Sequence, residues 1–162
     1  MSGPRELIDA ALPGAVVDLF EDAGGQLTLE VDRARLGEVA RFLKGEQGGG
    51  FVLLADVTCV DILDGDGRGN RFRLAYQLFS ITSGDVLRLR VWADAENPEV
   101  DSVQPVWATA DWLEREVYDM FGVRFAGHPD LSRILLPFDW EGHPLRRDYP
   151  IGGENVWFSD AV

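Results

Sequence analysis

Residues 71–92 read RFRLAYQLFSITSGDVLRLRVW, and this stretch decides the fold. Phe72, Leu74, Tyr76 and Leu78 recur at every second position over Arg71–Ser80, and Leu87, Leu89 and Val91 do so over Val86–Trp92. A period of two places each apolar set on one face of a β-strand. The two runs read as neighbouring strands of a sheet that turns one face to a core. The opposite face carries Arg71, Arg73, Arg88 and Arg90. Like charges this close repel unless they are compensated. Either acids such as Asp56 and Asp61 pair with them, or they form a docking patch for an acidic surface.

Upstream, Phe51–Leu63 is a long apolar run rich in β-branched residues, which predicts a central strand buried on both faces at its start. Asp64–Asn70, DGDGRGN, is read as a hairpin turn. It opens like a calcium loop, but the twelfth position, which must be glutamate, is Ala75. Its glycines precede a strand rather than a helix, so it is no dinucleotide fingerprint. Leu36, Val39, Ala40 and Leu43 share a helix face over Arg33–Lys44, with Asp32 as candidate N-cap and Gly45–Gly50 as the stop. Ala15–Asp22 and Gln26–Asp32 flank a turn and predict a β-hairpin. Leu7, Ile8, Ala11 and Leu12 predict a short helix over Pro4–Leu12.

These elements predict an α+β fold. It is a two-layer sandwich with a mostly antiparallel or mixed sheet of about five strands and two packing helices. A C-terminal helix and a long extended tail follow. The sheet domain is expected over 1–103, and the helix, at about 109–121, with the tail over 104–162.

The formal net charge is -13 over 162 residues, which argues against nucleic acid and against charge-driven docking on an anionic bilayer. The single cysteine, Cys59, can form no intramolecular disulfide and cannot by itself hold an iron–sulfur cluster or structural zinc. No signal peptide and no run of about 18 apolar residues is evident, so membrane association is expected only through another subunit.

Residues 114–150, EREVYDMFGVRFAGHPDLSRILLPFDWEGHPLRRDYP, contain both histidines and four of the eight prolines. Leu113, Val117, Met120 and Phe121 form a helical stripe, Thr109 or Asp111 can cap its start, and Gly122 is placed to end it. Glu114 and Glu116 lie about 200° apart around that helix, so they cannot flank one scissile bond. Glu116 and Asp119 are expected to pair with arginines, in this chain or on a partner. His128 and His143 both stand in Gly-His-Pro, with no further ligands at zinc spacing. Each imidazole either caps a turn by bonding backbone or serves a proton relay at an interface. No serine or cysteine stands in a nucleophile context. Ile134, Leu135, Leu136, Phe138 and Trp140 form an apolar cluster between prolines, and burying each is worth roughly 1.5–3 kcal/mol. Prolines deny this tail a ladder of its own. It must cover either its own sheet domain or a neighbouring subunit, as a strap.

The motifs EREVYDMFG, GHPDL and WEGHPLRRDYP resemble the C subunit of bacterial respiratory complex I, the 30 kDa subunit of mitochondria. The resemblance is specific over 114–150. One departure is Ser132, where the family usually has a basic residue or proline; Arg133 follows it. The resemblance implies a non-catalytic, peripheral-arm subunit of a proton-pumping NADH:quinone oxidoreductase on the cytoplasmic side of the plasma membrane. It implies no cofactor bound by this chain, with FMN and iron–sulfur clusters in partner subunits. The implied partners are the quinone-site D subunit and the neighbouring B and I subunits. It further implies that Glu114, Arg115, Glu116 and Asp119 fix the helix at the interface. His128, Asp130, Arg133, Trp140, His143, Arg146, Arg147 and Asp148 would anchor the tail. Energy-converting hydrogenases and other quinone or methanophenazine reductases use similar subunits, so the electron donor stays open. A stand-alone binding module and a small enzyme acting through its histidines are the remaining alternatives.

Overall fold

The computed structural model describes residues 4–150 and Gly152. In chain order the elements are α1 (Pro4–Ala11), β1 (Val16–Glu21), β2 (Leu27–Val31), α2 (Leu36–Lys44), β3 (Leu53–Asp61), β4 (Asn70–Phe79), β5 (Val86–Asp94), β6 (Glu99–Asp101), α3 (Ala110–Phe121) and β7 (Arg124–Ala126). The first five strands form one mixed sheet in the order β1-β2-β5-β4-β3. β2 pairs with β5 in parallel, and the other neighbours are antiparallel. This is the α+β sandwich the alternation predicts.

The alternation in β4 and β5 holds residue by residue. Phe72, Leu74, Tyr76, Leu78, Leu87, Leu89 and Val91 are buried in one core with Ile8 of α1 and Leu36, Val39, Ala40 and Leu43 of α2. Gly84 takes a left-handed φ of 78° in the connection, and its N–H bonds Ser80 O at 2.9 Å. Asp32 does cap the entry to α2, but through a short 3-10 turn, Arg33–Arg35, with its side chain accepting from Ala34 N. In the turn between β3 and β4, Asp66 Oδ1 accepts from the N–H groups of Arg68 and Asn70. That is the work of a turn acid.

β3 differs from expectation. It is an edge strand, not a central one, and its burial alternates rather than covering both faces. Leu54, Val57 and Cys59 face the core, whereas Leu53 and Val60 are exposed. A register shift between Leu54 and Asp56 breaks the simple period, which is why the sequence looks continuously apolar. An exposed edge is a liability for a sheet. Here α3 runs against β3, and Thr109 Oγ1 donates to Leu54 O at 3.1 Å. Thr109 stands at the N-cap position, yet its hydroxyl is spent on this contact and makes no capping bond.

β6 and β7 have no counterpart among the sequence expectations. They pair in parallel, with Val100 opposite Phe125, on either side of α3. Three-residue strands with two inward side chains, Val100 and Phe125, are too short to show a period.

Candidate functional site

The last turn of α3 and the tail form one polar assembly. A helix leaves its final carbonyls without intrahelical donors. Gly122 ends α3 with φ 73°, and its N–H closes on Tyr118 O at 2.8 Å. The tail supplies the other donors. His143 Nδ1 lies 2.9 Å from Asp119 O, Leu145 N donates to Met120 O at 3.1 Å, and Arg146 Nε donates to Phe121 O at 2.5 Å. The guanidinium at the helix C-terminus also suits the negative end of the helix dipole. Glycine is required at 122 twice over: a Cβ there would lie 2.5 Å from both the His143 ring and the Arg146 guanidinium.

Asp119 is the hub of this assembly and is fully buried. Its Oδ2 accepts from three successive backbone N–H groups, of Ile134, Leu135 and Leu136, at 3.1, 2.8 and 3.0 Å. Its Oδ1 accepts from Arg133 Nη1 at 2.6 Å. Burial alone pushes this carboxyl up, but the Leu136 N–H, Arg133 and the Leu135 and Ile134 N–H groups together hold it below the ordinary carboxylate value. Arg133 Nη2 donates to Trp140 O and Gly142 O, at 3.1 and 3.0 Å. One ion pair thus organises the tail from 133 to 142. Trp140 turns inward, and its indole Nε1 is buried without a hydrogen-bond partner among the described residues.

A second carboxylate fixes the other side of α3. Glu114 is fully buried; its Oε2 accepts from Ser102 Oγ at 2.6 Å and its Oε1 from Val103 N at 2.7 Å. Burial pushes it up to about 7, against the lowering effect of those two bonds. His128 Nε2 stands 3.9 Å from it and bonds Asp111 O at 3.1 Å. His128 Nδ1 accepts from Asp130 N at 3.1 Å, which leaves Nε2 as the donor to Asp111 O. Both histidines bond backbone, the structural option of the two that the sequence allows. Glu116, two residues on from Glu114, is exposed and makes no ion pair among the described residues.

Arg115 reaches Ser132 through its carbonyl, at 3.1 Å, and through its hydroxyl, at 2.9 Å. A basic side chain at 132 could not accept this second bond, so Ser132 works with Arg115. The end of the tail is held from the sheet. Asp61, at the end of β3, takes a bidentate pair from Arg71 at 2.7 and 2.6 Å and the Arg147 N–H at 2.8 Å. Arg71 then bonds Asp148 at 2.8 Å. Asp61 was legible as a possible partner of Arg71, whereas its grip on the tail was not; neither were Ser102 and Val103. These contacts span more than ten residues of sequence and have no local signature. Arg88 pairs with Asp22 and Arg90 with Glu30, so Asp56 is not the partner the sequence suggested.

What the tail does with its large apolar residues is the telling feature. Phe138 is 89% exposed, Leu135 59% and Leu145 54%, and Trp112 on α3 is 64% exposed. The tail backbone is fixed while these side chains face outward. Among the described residues, no cluster of His, Cys, Asp and Glu is placed to hold a metal, and no helix is long and apolar enough to cross a membrane.

Comparison with known proteins gives the family and the fold. The sequence model of the family described as respiratory-chain NADH dehydrogenase, 30 Kd subunit, matches residues 29–155. The C subunit of the NADH-quinone oxidoreductase of Salinispora tropica is 47% identical over 137 residues, which is 85% of this chain and 55% of the relative. The chain therefore spans about half the length of that relative. The protein of the same name from a Roseiflexus species is 44% identical over 154 residues, covering 95% of this chain and 86% of its own. Among solved structures, a trypsin-resistant fragment (1-134) of Nqo5 matches with TM-score 0.66 and 33% identity, over 78% of this chain and 98% of its own. A chain of the membrane-bound sulfane sulfur reductase, an archaeal respiratory membrane complex, matches with TM-score 0.72 over 91% of this chain and 83% of its own. At 20% identity that likeness concerns the fold alone. By sequence and by fold, this chain belongs to the 30 kDa, or C, subunit family of the respiratory NADH dehydrogenase.

Proposed function

We propose that the chain is a non-catalytic subunit of the peripheral arm of a proton-pumping NADH:quinone oxidoreductase, held at the membrane through its complex. In this reading the sheet domain, 1–103, is a scaffold, and the segment 104–162 docks on the large D subunit that shapes the quinone site. The B and I subunits are neighbours. FMN and iron–sulfur clusters sit in partner subunits and carry electrons from NADH to quinone. The twelve residues that the resemblance selected would act together: Glu114, Asp119 and the arginines hold the tail in shape, and the shape is what the partner meets.

The observation that supports this reading is the contrast within the tail. Asp119 fixes the backbone of 134–136, yet Leu135 and Phe138 remain exposed. A chain folding only on itself gains by burying such side chains, at roughly 1.5–3 kcal/mol each. Holding them outward on an ordered backbone removes much of the ordering cost of binding. Large aromatic anchors of this kind carry a disproportionate share of interface energy. The test is purification of the tagged full chain from gently solubilised native membranes. A large partner subunit and NADH:quinone reductase activity should come down with it; a chain that elutes alone and inactive ends this reading.

A further inference from the structure

The sheet face turned away from α1 and α2 carries a hollow of about 480 Å³. Its floor is Ala75, and the register explains why the hollow exists. Along β4, Ala75 is flanked by Arg73 and Gln77; across the sheet it stands between Thr58 of β3 and Arg90 of β5. A methyl group is thus surrounded by longer side chains, all of which can donate hydrogen bonds.

The arginines around it are not equivalent. Arg88 is bonded to Asp22 and Arg90 to Glu30. Arg73 makes no ion pair among the described residues, and the nearby acid Glu30 is bonded to Arg90. Its guanidinium sits 5.8 Å from the Trp92 ring centroid, and Val60 lies opposite it on β3. Burial, then Arg90, disfavours its charge, and Arg88 adds to this, while Glu30 partly offsets it. In a chain of 28 acids and 15 basic residues, a half-buried guanidinium with no carboxylate bonded to it can still take one. Asp22, bonded to Arg88, and Asp56 line the hollow as well; Arg88 and Asp56 stand on either side of Gln77, four residues along β4 from Arg73. The Gln77 end of the hollow thus holds the Arg88–Asp22 pair and Asp56, and the other end holds the unpaired Arg73.

We infer that this hollow is a second docking point, which takes an aspartate or glutamate side chain of a neighbouring subunit, seated over Ala75 against the Arg73 guanidinium. The inference rests on the chain being a subunit, as proposed above. Charge complementarity singles out the occupant. An acidic segment is repelled by most of this strongly acidic chain, so a pocket that welcomes a carboxylate selects one place and one orientation. A planar guanidinium can bind it with two parallel bonds, and Gln77, Thr58 and Arg90 can share the remaining lone pairs. The contact is remote in sequence from the tail and gives the sheet domain a hold of its own, which restrains rotation about the tail.

The experiment uses the tagged full chain in its solubilised complex, with a photo-cross-linking residue in place of the exposed Val60. A second sample carries the same residue in place of Phe138. The expected result at 60 is a cross-link to a neighbouring subunit, within a peptide that contains Asp or Glu. Arg73→Glu should lower its yield about tenfold, and Arg73→Lys should keep most of it. If position 138 cross-links while 60 does not, or 60 captures a segment without an acid, or Arg73→Glu changes nothing, the hollow is no docking point and the subunit reading stands. If neither position cross-links and the chain elutes alone, both fail together.

Discussion

Asp119 and Glu114 are two buried carboxylates on one helix, and their environments push them in opposite directions. Asp119 accepts three N–H groups and an arginine, so it is held ionised. Removing it strands Arg133 and three backbone donors at once. Asp119→Ala should cost on the order of 3 kcal/mol, which lowers Tm by roughly 6–12 °C in a chain of this size. Amide exchange at Ile134, Leu135 and Leu136 should accelerate in the same variant. A Tm within about a degree of the parent, with unchanged exchange, would show that the tail is held otherwise. Glu114 has one hydroxyl and one N–H for company and no cation in contact, so burial raises it to about 7. The folded state therefore binds its proton more tightly than the unfolded state, whose reference value is 4.5. Stability from this group is complete below about 4.5, falls as pH rises, and is lost above about 7. Glu114→Gln keeps an acceptor for Val103 N and cannot ionise. Denaturant titrations from pH 5 to 8 should show the parent losing about 3 kcal/mol relative to the variant. Parallel curves would place the Glu114 carboxyl at an ordinary value.

At the scale of elements, α3 is where the two halves of the chain meet. β6 and β7 join across its ends, Thr109 ties its start to β3, and the tail caps its last carbonyls. A chain ending at Asp130 keeps β7 and the His128 contacts but loses the cap and the Asp119 bonds. It should retain its β-sheet circular dichroism and fail to enter the complex. Entry at the normal level would show that the tail is dispensable for docking. Much of this architecture was legible because it is periodic: the apolar stripe of β4 and β5, the α2 face, and the Gly122 stop. The edge position of β3 was not, since an apolar run looks alike in a central strand and in an edge strand with a bulge. The motif residues of the tail were legible by resemblance, and their partners were not. Asp119 meets Ile134–Leu136, and Asp61 meets Arg147, through backbone N–H groups, which carry no residue type for a sequence to display.

At the scale of the whole molecule, α3 and the tail are held by the buried carboxylates Glu114 and Asp119, while Trp112, Leu135, Phe138 and Leu145 are turned outward. Its net charge of -13 makes non-specific association unfavourable. In the proposed reading, recognition depends on a few shaped features: the aromatic and aliphatic anchors of the tail, and Arg73 in the hollow over Ala75 on the outer sheet face. Phe138 is the most exposed of these anchors, and the bonds that Asp119 and Arg133 make to the tail do not involve it, so changing it separates docking from folding. The decisive measurement is co-purification of the tagged chain with its partner subunits from native membranes, compared between the parent and Phe138→Asp. A tail that docks through its exposed apolar face predicts an unchanged Tm for the variant, within about 0.5 kcal/mol of the parent in stability, and partner recovery reduced about tenfold or more. Equal recovery of partners by both chains, at equal stability, would contradict it.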